Sequence, residues 1–262
     1  MEGTEVRELV EYKIISGRTV EIRRSYLSVR GGRKEKRRAR KAGSSSLKKI
    51  KANEKSAALA LARLININFP AGSGFLSLKY DAAHLPVSFE EAKGRAEKFM
   101  RKYRTAYRRE HGENPKTILV NANWSPKHDA PARLHHHLLV TADGIELARW
   151  LWEGGGFSCE CLDSRGDHTD LAAYLILNLH DMPNEKHYHP SRNLDKPIVT
   201  EPVPVNDVEG IKAEKGSVMK DYQKSEDEDG NIVGTYLRCV LPEPPRVRGG
   251  QIIMTRRKKG GG

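Results

Sequence analysis

The chain has 262 residues, 37% of them hydrophobic, which is room for one ordinary domain with extensions or for two small ones. Lys and Arg outnumber Asp and Glu by 46 to 34, a formal net charge of +12, and this surplus favours a polyanionic partner, either nucleic acid or an anionic membrane surface. No apolar run approaches the roughly 20 residues that span a bilayer, and the charged N-terminus has no signal-peptide core, so no membrane partner is expected. Cys159, Cys161 and Cys239 are the only cysteines. They cannot all pair with one another, and the chain reads as reduced and cytoplasmic.

In chain order, residues 1–52 read as a basic N-terminal arm. Thr19 to Ile22 alternates and fits an edge strand. Residues 33–41 carry seven positive charges in nine positions and run into Gly43 and three serines, which is linker chemistry. From Asn53 the sequence becomes periodic. Ala57, Ala58, Leu61, Leu64 and Ile65 recur at helical spacing until Asn68-Phe69-Pro70 stops them. FLSLKY (75–80) reads as a strand. Ser88 followed by Glu91 has the spacing of a capping box and opens a long helix whose apolar face runs Ala92, Ala96, Phe99, Met100, Tyr103 and Tyr107. Strands are expected at 117–120 and 134–141, a short helix at 145–152, a strand at FSCECL, and a helix from Thr169 or Asp170.

This β-α-β-β-α-β order predicts an α+β fold, an antiparallel sheet of the ferredoxin-like or RRM-like kind with helices packed on it, over residues 53–200. Beyond it, residues 201–262 read as an irregular extension. Prolines at 202, 204, 242, 244 and 245 and an acidic run at 226–229 interrupt them, with room for one strand at Tyr236 to Leu241.

The most informative stretch is RLHHHLLV (133–140). Successive side chains of a strand alternate, so His135 and His137 project from one face and His136 from the other. Two imidazoles so placed can converge on one divalent ion, and the apolar residues that follow hold them on a rigid strand. A second His-x-His, His187-Tyr188-His189, is followed by Pro190 and Ser191 and reads as loop. Tyr174 sits in DLAAYLILNL near the margin of a helical apolar surface. A phenol, with an ordinary pKa near ~10, needs a metal or a base to act as a nucleophile.

Together, FLSLKY, HHHLLV and AAYLI, flanked by RLININF (63–69) and SRNLDKP (191–197), resemble the HUH endonucleases, especially the initiator proteins of rolling-circle plasmids and phages. The resemblance spans about Asn53 to Thr200. It implies a divalent metal, Mg²⁺ or Mn²⁺, held by His135 and His137, and single-stranded DNA at a replication origin as substrate. It also implies Tyr174 as the nucleophile that forms a 5′-phosphotyrosyl link. Lys79, Arg133 and Arg192 are the candidate DNA-binding cations, and a host helicase is the expected partner, because the chain has no phosphate-binding Gly-rich loop with Lys.

Two features depart from the pattern. Many relatives carry a lysine one turn after the tyrosine, where this chain has Leu177 and Asn178. A third, acidic or amide ligand is commonly supplied before the histidines, where Asn123 and the nearby Asp129 are the candidates here. These departures leave room for a non-catalytic nucleic-acid-binding protein on the same fold. A zinc hydrolase is a further alternative, needing Cys159 and Cys161 as ligands beside the histidines.

Overall fold

The computed structural model describes residues 7–28, 47–182, 185–248 and 251–253. The basic run at 33–41 lies outside the described residues. The chain divides into two compact units, residues 1–46 with 197–262, and residues 47–196.

The first unit begins with a hairpin, β1 (Arg7–Ser16) and β2 (Thr19–Ser28), turning at Gly17 with φ 60°. The second comprises α1 (Leu47–Asn68), β3 (Gly74–Tyr80), α2 (Phe89–His111), β4 (Thr117–Ser125), β5 (Ala130–Val140), α3 (Ile145–Leu151), β6 (Gly155–Cys161), α4 (Thr169–Leu177) and the two-residue β7 (His189–Pro190). The chain then returns to the first unit with β8 (Ile198–Val199), β9 (Val203–Pro204), β10 (Val218–Glu226), β11 (Ile232–Val240) and the short pair β12 (Arg246–Arg248) and β13 (Gln251–Ile253).

In the first unit the strands run in the order β10-β11-β2-β1-β8, with β9 also on β1. Val20, Ile22, Ile211, Leu237, Cys239 and Leu241 form its core. Two expectations are corrected here. Residues 7–28 are not an arm, and β2 is an interior strand between β11 and β1. Nor are residues 201–262 an irregular extension, since β10 and β11 are nine-residue strands. The physical reason is that β10 is mostly exposed on both faces. It carries no apolar alternation, and its partner β11 is itself held in the sheet by β2, some two hundred positions earlier in the sequence.

The second unit has the expected α+β character. Its five strands are antiparallel neighbours in the order β6-β3-β5-β4-β7. Strand alternation sorts its side chains to two faces. Leu76, Leu78, Leu119, Leu138 and Val140 meet Ala96, Phe99, Met100 and Tyr103 of α2 and Ala148 of α3. Ile118, Val120 and Leu139 meet Leu61 and Ile65 of α1 and Ala172, Leu175 and Ile176 of α4. Both faces are therefore covered by helices, which is why the strands read as nearly continuous apolar runs.

The Ser88 hydroxyl caps α2 by accepting from the Glu91 N–H at 3.1 Å, while the Glu91 carboxylate accepts from Val87, one residue earlier than a capping box would place it. Gly112, at φ 78°, ends the helix in the left-handed region.

Gly144 sets how closely α3 approaches α2. A Cβ there would stand 2.1 Å from the hydroxyl of Tyr103, a fully buried side chain with no space to retreat. Gly144 has φ −91°, which any residue adopts, so the conflict is purely steric. Gly144→Ala is expected to destabilise the protein by about 1–3 kcal/mol, as overpacking does, read as a lower midpoint in urea unfolding.

Candidate active site

The pleat of β5 divides the three histidines. His137 lies opposite Ser77 of β3 and Val120 of β4, and His135 opposite Lys79 and Ala122. Both rings leave the sheet on the α4 side, and their Nε2 atoms come within 3.2 Å of each other. The His135 Nδ1–H donates to the Arg133 carbonyl at 2.7 Å, which leaves its Nε2 as a lone pair. The His137 Nδ1 meets the Ser77 hydroxyl at 3.2 Å, and its ring stacks on Phe75 with centroids 5.0 Å apart.

Burial lowers the pKa of His135. Burial, reinforced by the neighbouring His135, pulls that of His137 down to about 3. Both rings are thus neutral at pH 7, the form that ligates metals. Two neutral nitrogens facing each other at this distance, each ring oriented through its other nitrogen, fit a divalent cation as a donor set.

His136 points the other way, into the α2 side. Its Nδ1 meets the Asn121 Oδ1 at 2.8 Å and its Nε2 the Tyr80 hydroxyl at 2.8 Å. Both ring nitrogens are satisfied in a site where burial holds the histidine pKa down at about 3 and pushes the tyrosine up to about 12. The middle histidine is therefore a neutral peg beneath the other two.

Helix α4 brings Tyr174 to the same face as His135 and His137. Its start is fixed by the His168 N–H on the Asn66 side chain of α1 (3.0 Å) and by the Thr169 hydroxyl on Asp167 (2.6 Å). Ala172, Leu175 and Ile176 bury one side of the helix and leave Tyr174 at the margin, 37% exposed. The Tyr174 ring stands edge-on to His137 at 5.6 Å and to Phe75 at 6.4 Å.

The end of α4 is held by a bulge in β4. Between Ala122 and Trp124 the strand slips out of register with β5. The freed N–H groups of Asn123 and Trp124 both donate to the Asn178 carbonyl, at 3.0 and 3.1 Å. The Asn123 amide then grips the backbone of His180 twice, at 2.9 Å each way.

These groups surround a cleft of about 620 Å³ lined by, among others, Lys79, Trp124, His135, His137, Tyr174 and Asn178. Of the expected cations, Lys79 lines this cleft. Arg133 is exposed on the same side of β5 as the two histidines but does not line it. Arg192 is not brought to the site. It follows Ser191, whose hydroxyl accepts from Thr117 at the far end of β4, roughly 17 Å along the strand from Ala122 at about 3.4 Å per residue.

Neither candidate third ligand reaches the cleft lining: Asn123 is engaged with His180, and Asp129 is exposed in a turn. Among the described residues no three His, Cys, Asp or Glu side chains converge as a metal group, the Cys159–Cys161 alternative included. The His187-x-His189 pair, expected as loop, contributes His189 to β7 against Leu119. Reading the sequence missed Trp124, whose ring stacks on His180 at 4.3 Å, and Arg165 and His168 of the cleft wall. Only their place after the fold is formed distinguishes them from other polar loop residues.

Compared with protein-family models, with curated proteins and with solved structures, the chain matches none. Among the described residues no helix is long and apolar enough to cross a membrane.

Removal of the Asn123 clamp is expected to loosen the end of α4 without unfolding the sheet. Asn123→Ala should cost about 1–3 kcal/mol, as for polar groups left without partners. Amide hydrogen exchange should speed up in residues 174–180 more than in β3 or β5. Uniform acceleration across the unit would mean that the clamp has no local role.

Proposed function

We propose that the unit spanning residues 47–196 is a metal-dependent enzyme of the HUH type that nicks and rejoins single-stranded DNA at a replication origin, initiating rolling-circle replication with Tyr174 as nucleophile. The observation that carries this reading is the convergence of the His135 and His137 Nε2 atoms, 3.2 Å apart, beside the half-exposed ring of Tyr174 on one sheet face. The antiparallel strand order and the two helices on that face agree with it.

His135 and His137 would hold the divalent cation. When bound, that ion supplies Lewis acidity to the non-bridging oxygens of the scissile phosphate. Tyr174, carried on a helix anchored at both ends, presents its hydroxyl from the cleft margin, so attack needs little reorganisation of the protein. Its oxygen forms a bond to phosphorus as the bond from phosphorus to the 3′ oxygen breaks. The phenol proton passes to solvent in the open cleft, and the departing 3′ oxygen takes up a proton to become a hydroxyl. The phosphodiester is conserved as a 5′-phosphotyrosyl ester, so the reverse step can reseal a strand without ATP. Lys79 supplies positive charge for the backbone of the strand, and the Trp124 ring offers a face on which a base can stack. Duplex unwinding would come from a separate helicase.

The test is a denaturing gel of purified protein with labelled origin single strands and Mn²⁺. The unsubstituted chain is expected to give a covalent protein–DNA band that disappears with chelator and in Tyr174→Phe, while Tyr174→Phe still binds the strand. A band that persists in Tyr174→Phe would move the chemistry to another residue. Strand binding by both proteins with no band from either, across a broad set of origin sequences, would make this a binding protein.

A further inference from the structure

Two histidines are a sparse ligand set for a catalytic ion, which ordinarily takes three protein donors where the metal is zinc and oxygen donors where it is Mg²⁺. We propose that the side-chain oxygen of Asn178 is the third protein ligand of the divalent cation held by His135 and His137. This rests on the metal-site reading above and identifies a donor that neither the motif nor the histidine pattern points to.

Asn178 is fully buried, at 0% exposure, yet lines the same cleft as the two histidines. Its amide has only one possible orientation. The Nδ2 group lies 2.6 Å from the Tyr174 carbonyl, which can only accept, so nitrogen must face the helix and Oδ1 the other way. That Oδ1 has no hydrogen-bond partner. A buried carbonyl left without a partner is destabilising, and such a group in a native structure calls for an explanation.

The oxygen lies beside the His137 ring without making a well-formed hydrogen bond to it. The backbone around it is fixed as well, since the Asn178 carbonyl takes both N–H groups of the β4 bulge. An amide oxygen, hard and neutral, suits Mn²⁺ or Mg²⁺ better than a thiolate would. The same amide group holds the main chain of Tyr174 through its nitrogen. One residue thus ties the position of the ion to the helical turn that carries the nucleophile.

The full chain should be titrated with Mn²⁺ in the absence of DNA, following loss of the free-ion EPR signal, with thermal unfolding as the check on folding. One ion per chain is expected, bound about tenfold more weakly by Asn178→Ala and more tightly by Asn178→Asp, which keeps the shape and adds charge. Co²⁺ gives a direct readout. In Asn178→Cys a sulfur ligand should produce a thiolate-to-cobalt absorption band that is missing from the unsubstituted protein and is lost on adding His137→Ala.

Folded Asn178→Ala and Asn178→Asp proteins that bind Mn²⁺ like the unsubstituted chain, with no cobalt band from Asn178→Cys, would overturn the ligand while leaving the histidine site intact. Failure of the unsubstituted chain to take up one ion, or binding unaffected by His137→Ala, would overturn the two-histidine site and the third ligand together.

Discussion

A strand that carries three histidines in succession must bury imidazole on both of its faces, and everything around the cleft follows from how that demand is met. An unpaired polar group in a core is costly, and β5 is covered by helices on each side. On the α2 side the solution is local and complete, since His136 spends both ring nitrogens on Asn121 and Tyr80. On the α4 side the two rings partner each other instead. His135 and His137 each direct Nδ1 at a protein oxygen and leave the Nε2 atoms facing each other. His136 holds the backbone of β5 in place, so the His135–His137 pair is presented on a rigid base.

The second element, the helix α4 that carries Tyr174, is positioned by irregularity. A regular β4 would have continued its ladder with β5, and its N–H groups would not have been free for α4. The bulge at Asn123 releases two of them at the point where the helix ends, and the Asn178 carbonyl takes both. Because the helix is only nine residues long, pinning its last turn fixes Tyr174 as well. The ladder hydrogen bonds lost at the bulge are recovered in a contact that sets the distance between helix and sheet.

Much of the second unit was legible because its signals are local and repeated. Helical spacing marks α1 and α2, apolar runs mark β3 to β5, and alternation assigns His135 and His137 to one face before any coordinate is known. The bulge was not legible. TILVNANW reads as an unbroken strand, and nothing in it says that Asn123 serves His180 or that the ladder slips. Asn178 was visible only as a position where a lysine was missing. Its buried, unpartnered oxygen exists only once α4 is docked. The sheet of the first unit was illegible for two different reasons: β2 pairs with β11 across more than two hundred residues, which no local pattern announces, and β10, although it pairs with the neighbouring β11, is a mostly polar edge strand without apolar alternation.

The cleft is much closer to charge balance than the chain as a whole. The chain carries a surplus of +12, yet the cleft lining holds two basic side chains, Lys79 and Arg165, and two acidic ones, Glu160 and Asp163, with Arg165 paired to Asp163 at 2.5 Å. The histidines add no charge at pH 7, because burial keeps them neutral. Among the described residues the exposed Arg101, Arg104, Arg108 and Arg109 of α2 contribute to the surplus, and in the sequence the run at 33–41 adds seven positive charges. A strongly basic cleft would repel a divalent cation and weaken its hold on the histidines. On the proposed reading a nearly neutral one would admit the ion, and the exposed arginines of α2 would supply long-range attraction for a polyanion.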